Sequence, residues 1–118
     1  MRPEAGFPTG DVRILLDACA PRPLRRLLTG HLIATAQEMG WGALKNGDLL
    51  REAEAQFDVF ISTDQNLRYQ QLVTDRRVAL LILPTNDWPA IRARASEIAA
   101  AVARIRPGDY VELDWSVG

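Results

Sequence analysis

The chain has 118 residues, 47% of them hydrophobic, with 14 Lys plus Arg against 15 Asp plus Glu for a net charge of −1. That length suits a single domain burying about two-thirds of the surface its unfolded form would expose, and the near-neutral balance excludes a global electrostatic pull on nucleic acid or anionic membrane. The one cysteine, Cys19, cannot close an internal disulfide and no Cys/His group has zinc spacing, so a reducing compartment is expected and a structural zinc is not.

No apolar run reaches the ~20 residues of a bilayer span, and the opening MRPEAGFPTG has no apolar signal-peptide core, so the expected location is the cytoplasm with no membrane partner. Residues 1–10, rich in Pro and Gly, read as a flexible tail before a single domain over 11–114. Val12 to Leu16 is a continuous apolar run, the mark of a strand buried on both faces, and it ends in Asp17. Pro21 and Pro23 open a helix whose Leu24, Leu27 and Leu28 form an apolar face, with Arg22, Arg25 and Arg26 turned away and Gly30 as the stop. His31 to Thr35 is a short second strand, followed by a Gly-Trp-Gly loop at 40–42.

A helix is expected from Asn46 as N-cap to about Gln56, with Leu49, Leu50, Ala53 and Phe57 on one side and Asp48 and Glu52 on the other. Phe57 to Ser62 is the third strand, leading through Thr63 to Asp64. A short helix over Gln65 to Leu72 comes next, then an all-apolar fourth strand, Val78 to Leu83. Asp87 caps the longest helix, with Ile91, Ala95, Ile98, Val102 and Ile105 as its core-facing stripe and Pro107-Gly108 as its end. Tyr110 to Leu113 is a fifth, edge strand. Strands alternating with helices imply right-handed crossovers and a three-layer α/β domain, with a mostly parallel sheet in the order 2-1-3-4-5.

That order reverses between the first and third strands, and ligands of open α/β sheets bind beyond the carboxyl ends of the strands at such a point. Asp17 and Asp64 both follow strands there, and Asp48 opens the intervening helix. Two like charges at about 4 Å and an effective dielectric of 20 repel by about 4 kcal/mol, so a converging acidic set needs protonation or a hard dication. All-oxygen donors suit Mg²⁺ or Mn²⁺ and not zinc, and such an ion supports phosphodiester hydrolysis. The structural alternatives are plain: an Asp after a strand caps the next turn, Asp48 is favoured by the helix dipole, and Thr63 and Asn66 suit local backbone bonds. Cys19 reads as a small buried group and His31 as a strand-start residue; the Arg22/Arg25/Arg26 face, with Arg68, could contact phosphates near the crevice, though such a face is usually only solvated.

The segments ILLDACAPRPLRRLL, WGALKNGDLLREAEAQFDVFISTDQNLRYQQ, VALLIL and RPGDYVEL together cover most of residues 12–113. In these the chain resembles the PIN-like domains, in particular a short single-domain prokaryotic branch labelled as a domain of unknown function. The resemblance implies a PIN-like sheet and a metal-dependent ribonuclease site with Asp17, Asp48 and Asp64 as catalytic and metal-ligating acids and Mg²⁺ or Mn²⁺ as cofactor. RNA is the implied substrate, held by Lys45, Asn66 and Arg68. Relatives include nucleases of toxin–antitoxin pairs, which makes an antitoxin protein a candidate partner, and PIN-like domains often form homodimers. Many members carry Glu directly after the first Asp, where this chain has Ala18; that departure favours an alternative, a catalytically degenerate module binding RNA or protein. A phosphoacceptor domain of related architecture would need a Lys after the fifth strand, and the sole lysine is Lys45.

Overall fold

Alternation of side chains along short apolar strands decides the architecture. The computed structural model describes residues 12–28, 30–64 and 77–115, with only the backbone at Asn46 and Gly47. Five strands, β1 (Arg13–Leu16), β2 (Leu32–Thr35), β3 (Val59–Ser62), β4 (Ala79–Ile82) and β5 (Tyr110–Glu112), form one all-parallel sheet in the order β2-β1-β3-β4-β5. This is the expected order. The register sets Ile14 beside Ile33 and Val59, Phe60 beside Leu80, and Leu81 beside Val111.

Successive residues of the central strands serve opposite faces. On one face Ile14, Leu16, Val59, Ile61, Ala79 and Leu81 pack with Leu24, Leu28, Ile91, Ile98, Val102 and Ile105. On the other, Leu15, Phe60, Leu80 and Ile82 pack with Leu49, Leu50 and Ala53 of α1 (Asn46–Gln56) and with Phe57, its C-cap. The sheet is thus the middle of three layers, which is why its central strands carry no polar alternation. Trp41 meets Phe57 edge to face at 6.0 Å, closing the α1 side.

Local chemistry accounts for most departures from the sequence-based expectations. The helix after β1 is a single 3₁₀ segment, Arg22–Leu27, with its Pro at the start. The N-cap of α1 is Lys45, extended at φ −75° and ψ 161° and making no side-chain cap, so Asn46 is the first helical residue instead of the cap. The long helix expected from Asp87 to Ile105 is two helices, α2 (Trp88–Ala93) and α3 (Ala95–Arg104). At the joint the Arg94 N–H bonds back three residues to Ile91 in 3₁₀ fashion, while its guanidinium lies over the Trp115 ring at 5.8 Å and pairs with Glu97. Ile91, Ile98, Val102 and Ile105 are buried as expected while Ala95, at the joint, is only half-buried, and Asp87 caps α2 by accepting from the Ala90 N–H.

Two acidic side chains, Glu54 on α1 and Asp58 just before β3, fasten the starts of strands in ways the sequence does not announce. Glu54, near the end of α1, accepts the N–H groups of both Arg77 and Val78 at 2.8 and 2.9 Å, fixing where β4 begins. Asp58 accepts the Arg13 N–H at 2.9 Å and lies between the guanidinium groups of Arg13 and Arg77. After β2, Thr35 and Glu38 form a reciprocal box: the Thr35 hydroxyl accepts the Glu38 N–H, and the Glu38 carboxylate accepts the Thr35 N–H. Gly40 closes that turn at φ 80°. His31 accepts the Val12 N–H at the start of β2. No helix among the described residues is long and apolar enough to cross a membrane.

Candidate functional site

The carboxyl ends of β1 and β3 lie side by side at the point where strand order reverses. The ladder continues one step past β1, with the Asp17 N–H bonding the Ile61 carbonyl at 2.9 Å. A register that pairs Leu16 with Ile61 therefore brings Asp17 opposite Ser62. The chain then turns at once, the Ala20 N–H returning to the Asp17 carbonyl, and Ala20 is buried while Ala18 and Cys19 stay exposed. Cys19 is thus not the small buried group expected from its residue type, because Ala20 fills the apolar position of the turn.

Asp17 is half-buried and each of its two oxygens accepts a local hydrogen bond. Oδ1 accepts the Ala18 N–H at 2.7 Å, and Oδ2 accepts the Ser62 hydroxyl at 2.8 Å with the Cys19 thiol more distant at 3.5 Å. Ser62, fully buried, also accepts the Asp64 N–H at 3.0 Å. One hydroxyl thus donates to the first acid and holds the backbone of the second. Ser62 was not singled out in the sequence, although a serine closing an otherwise apolar buried run is the signal that could have found it.

The other expected residues are placed as follows. Helices of parallel βαβ units run against the strands, so the N-terminus of α1 is on the same edge as Asp17 and Asp64, and it carries Lys45 and Asp48. Lys45 is exposed. Asp48 is 58% exposed and paired with Arg51 at 2.8 Å, three residues along its own helix. Asn66 and Arg68, with the helix expected over Gln65 to Leu72, lie outside the described residues. Topology therefore sets the three acids on one edge, and hydrogen bonding joins two of their segments. Among the described residues no three His, Cys, Asp or Glu side chains gather closely enough to hold a metal ion.

At the β1/β3 crevice the Asp17 carboxylate meets the Ser62 hydroxyl, and Asp64 is tied to that hydroxyl through its backbone N–H. Mg²⁺ is commonly held by one or two protein carboxylates, with substrate phosphates and water completing its shell, so by donor chemistry an Asp pair such as Asp17 and Asp64 needs no third acid. The Ala18 N–H bond to Asp17 is also a local cap that a purely structural aspartate would make. The strand-to-strand link through Ser62 goes beyond such a cap. Comparison of the chain with family models, with curated proteins and with solved structures gives no match.

Proposed function

We propose that the chain is a Mg²⁺- or Mn²⁺-dependent ribonuclease with a PIN-like acidic site at the carboxyl edge of its sheet. The observation supporting this reading is the Asp17–Ser62–Asp64 linkage at the strand-order reversal, where open α/β sheets bind their ligands. Asp17 and Asp64 would hold the ion, which when bound lowers the pKa of water and polarises a phosphodiester. Ser62 is the positioning residue, orienting the Asp17 carboxylate and fixing the Asp64 backbone. Asp48, on the first turn of α1, completes the acidic set or orients the attacking water, and Lys45 holds the phosphate backbone together with Arg68. In the cell such an activity fits the toxin of a toxin–antitoxin pair, working in the cytoplasm against RNA and restrained by an antitoxin protein.

The test is cleavage of a labelled RNA with and without Mn²⁺. Cleavage that needs the metal and falls at least a hundredfold in Asp17→Asn and Asp64→Asn supports the assignment; equal cleavage by wild type and both variants overturns it. A second reading, a degenerate module that binds RNA or protein without cutting, is favoured by Ala18 and by the Asp48–Arg51 pair that engages the third acid. It predicts RNA binding with no metal-dependent cleavage.

A further inference from the structure

A second feature opens at the same edge of the sheet, on the β1–β2 side. The 3₁₀ segment Arg22–Leu27 follows the Asp17 turn directly, and Thr35 is the last residue of β2. Between them lies a cavity of about 230 Å³ lined by Arg22, Pro23, Arg25, Arg26, Thr35 and Glu38. Sites for drug-sized ligands run to roughly 300–1,000 Å³ and are mostly apolar; this one is smaller, and three guanidinium groups face one carboxylate, an excess of two positive charges. Its chemistry is that of an oxyanion pocket.

The pocket already shows what it prefers. The Arg25 guanidinium grips Glu38 at 2.6 Å, and that bond is the leading cause that holds the Glu38 carboxyl below its ordinary range. Arg25 Nε is shielded from solvent and has no acceptor among the described residues; an orphaned buried donor of this kind marks a partner yet to be supplied. Among the described residues Arg22 hydrogen-bonds only the Gln37 amide, at a long 3.5 Å. Arg26 makes no ion pair with any described residue. Three like charges on one short 3₁₀ segment repel one another, and because residues three apart eclipse in that geometry, Arg22 and Arg25 point the same way. An arrangement of this kind is stabilised by an anion that accepts from several guanidinium groups at once, and a phosphate has the oxygens to do so.

We infer that the Arg22–Arg25–Arg26 pocket is a phosphate-binding subsite for the backbone of a single-stranded polynucleotide, seated one strand over from the Asp17 crevice. The choice of a polynucleotide over a free phosphate rests on the reading proposed above, since a strand crossing the carboxyl edge of the sheet would meet both places. The net charge of −1 is no obstacle, because the cationic excess is local.

The experiment measures affinity of the full chain for a fluorescent 12-nucleotide RNA, in EDTA so that no cleavage intervenes, across a salt series. Arg26→Ala, and the pair Arg22→Ala with Arg26→Ala, leave the Arg25–Glu38 bond in place and should fold as wild type by circular dichroism. Each lost arginine should weaken binding about tenfold at low salt and flatten the log–log salt slope by about 0.7. Glu38→Gln, which keeps an acceptor for the Thr35 N–H while removing the competing charge, should tighten binding. Arg104→Ala, at the far end of α3 on the opposite edge, removes the same charge and should change neither quantity. Unchanged affinity and slope in the arginine variants overturn the inference even where Mn²⁺-dependent cleavage is seen. Arginine-dependent binding sustains it even where no cleavage is seen and the nuclease reading falls. Stabilisation by inorganic phosphate that Arg26→Ala abolishes, with RNA affinity untouched, would assign the pocket to a small phosphate and overturn the polynucleotide assignment.

Discussion

Replacing Ser62 by Ala removes one oxygen and with it the link between the ends of β1 and β3. The hydroxyl is fully buried and makes a 2.8 Å bond to a carboxylate and a 3.0 Å bond from the Asp64 N–H. Hydrogen bonds to charged groups contribute about 1.5–3 kcal/mol each, and neutral ones about 1 kcal/mol. Asp17 is only half-buried, so water can satisfy part of what its Oδ2 loses, and the alanine methyl leaves almost no cavity. The expected destabilisation is therefore about 2 kcal/mol, a little below the lower end of the sum. At about 4 °C per kcal/mol for a domain of this size, the melting temperature should fall by about 8 °C. Urea unfolding followed by circular dichroism measures the difference directly, with the midpoint shifted and the m-value unchanged. A loss below about 0.5 kcal/mol would refute the idea that this hydroxyl fastens the two strand ends.

Glu54→Ala should cost about 2 kcal/mol in the same assay, because it removes charge-assisted bonds to two adjacent N–H groups at the start of β4. Phe60→Ala should cost about 3–5 kcal/mol by opening a cavity under α1. Gly40→Ala meets no neighbouring atom, so its cost of about 1 kcal/mol comes from the left-handed backbone alone. Glu38 supplies a pH signature: its carboxyl is held below the ordinary 4.5, chiefly by the Arg25 hydrogen bond, so its contribution to stability is present above 4.5 and is lost as pH falls through the lowered folded value. Acid unfolding curves of wild type and Glu38→Gln should accordingly converge as pH drops below 4.5; curves that stay parallel would contradict that assignment.

The strand order and both cores were legible because every central strand is apolar on consecutive residues and because the segments over 46–56 and 88–104 carry clear helical stripes. Leu49, Leu50, Ala53 and Phe57 fall on the buried side of α1, as their spacing requires. Asp17 and Asp64 could be placed on one edge for the same reason: each follows a strand whose length and direction the pattern fixes. What the pattern could not supply was partner choice across long sequence separations. The Ser62 hydroxyl meets Asp17 forty-five residues away, and Glu54 meets Val78 twenty-four away; both depend on strand register, which periodicity leaves open. The Thr35–Glu38 box carries a recognisable spacing, but it sits in a turn instead of a regular helix and read as loop. The break at Arg94 was hidden because the apolar stripe runs unbroken through it, from Ile91 to Ile98. The Arg face, read as solvated, proved half-enclosed at Arg25 because Glu38 folds back over it.

The central claim is that Asp17 and Asp64, tied through Ser62, hold a hard dication at the β1/β3 crevice. Thermal unfolding in a Mn²⁺ titration tests it most directly, since a ligand bound only by the folded chain stabilises it by about 2.7 kcal/mol at a hundredfold excess over its dissociation constant. Wild type should show a saturating rise in melting temperature that Asp17→Asn and Asp64→Asn lose. No rise in wild type, or an equal rise in all three proteins, would contradict the claim.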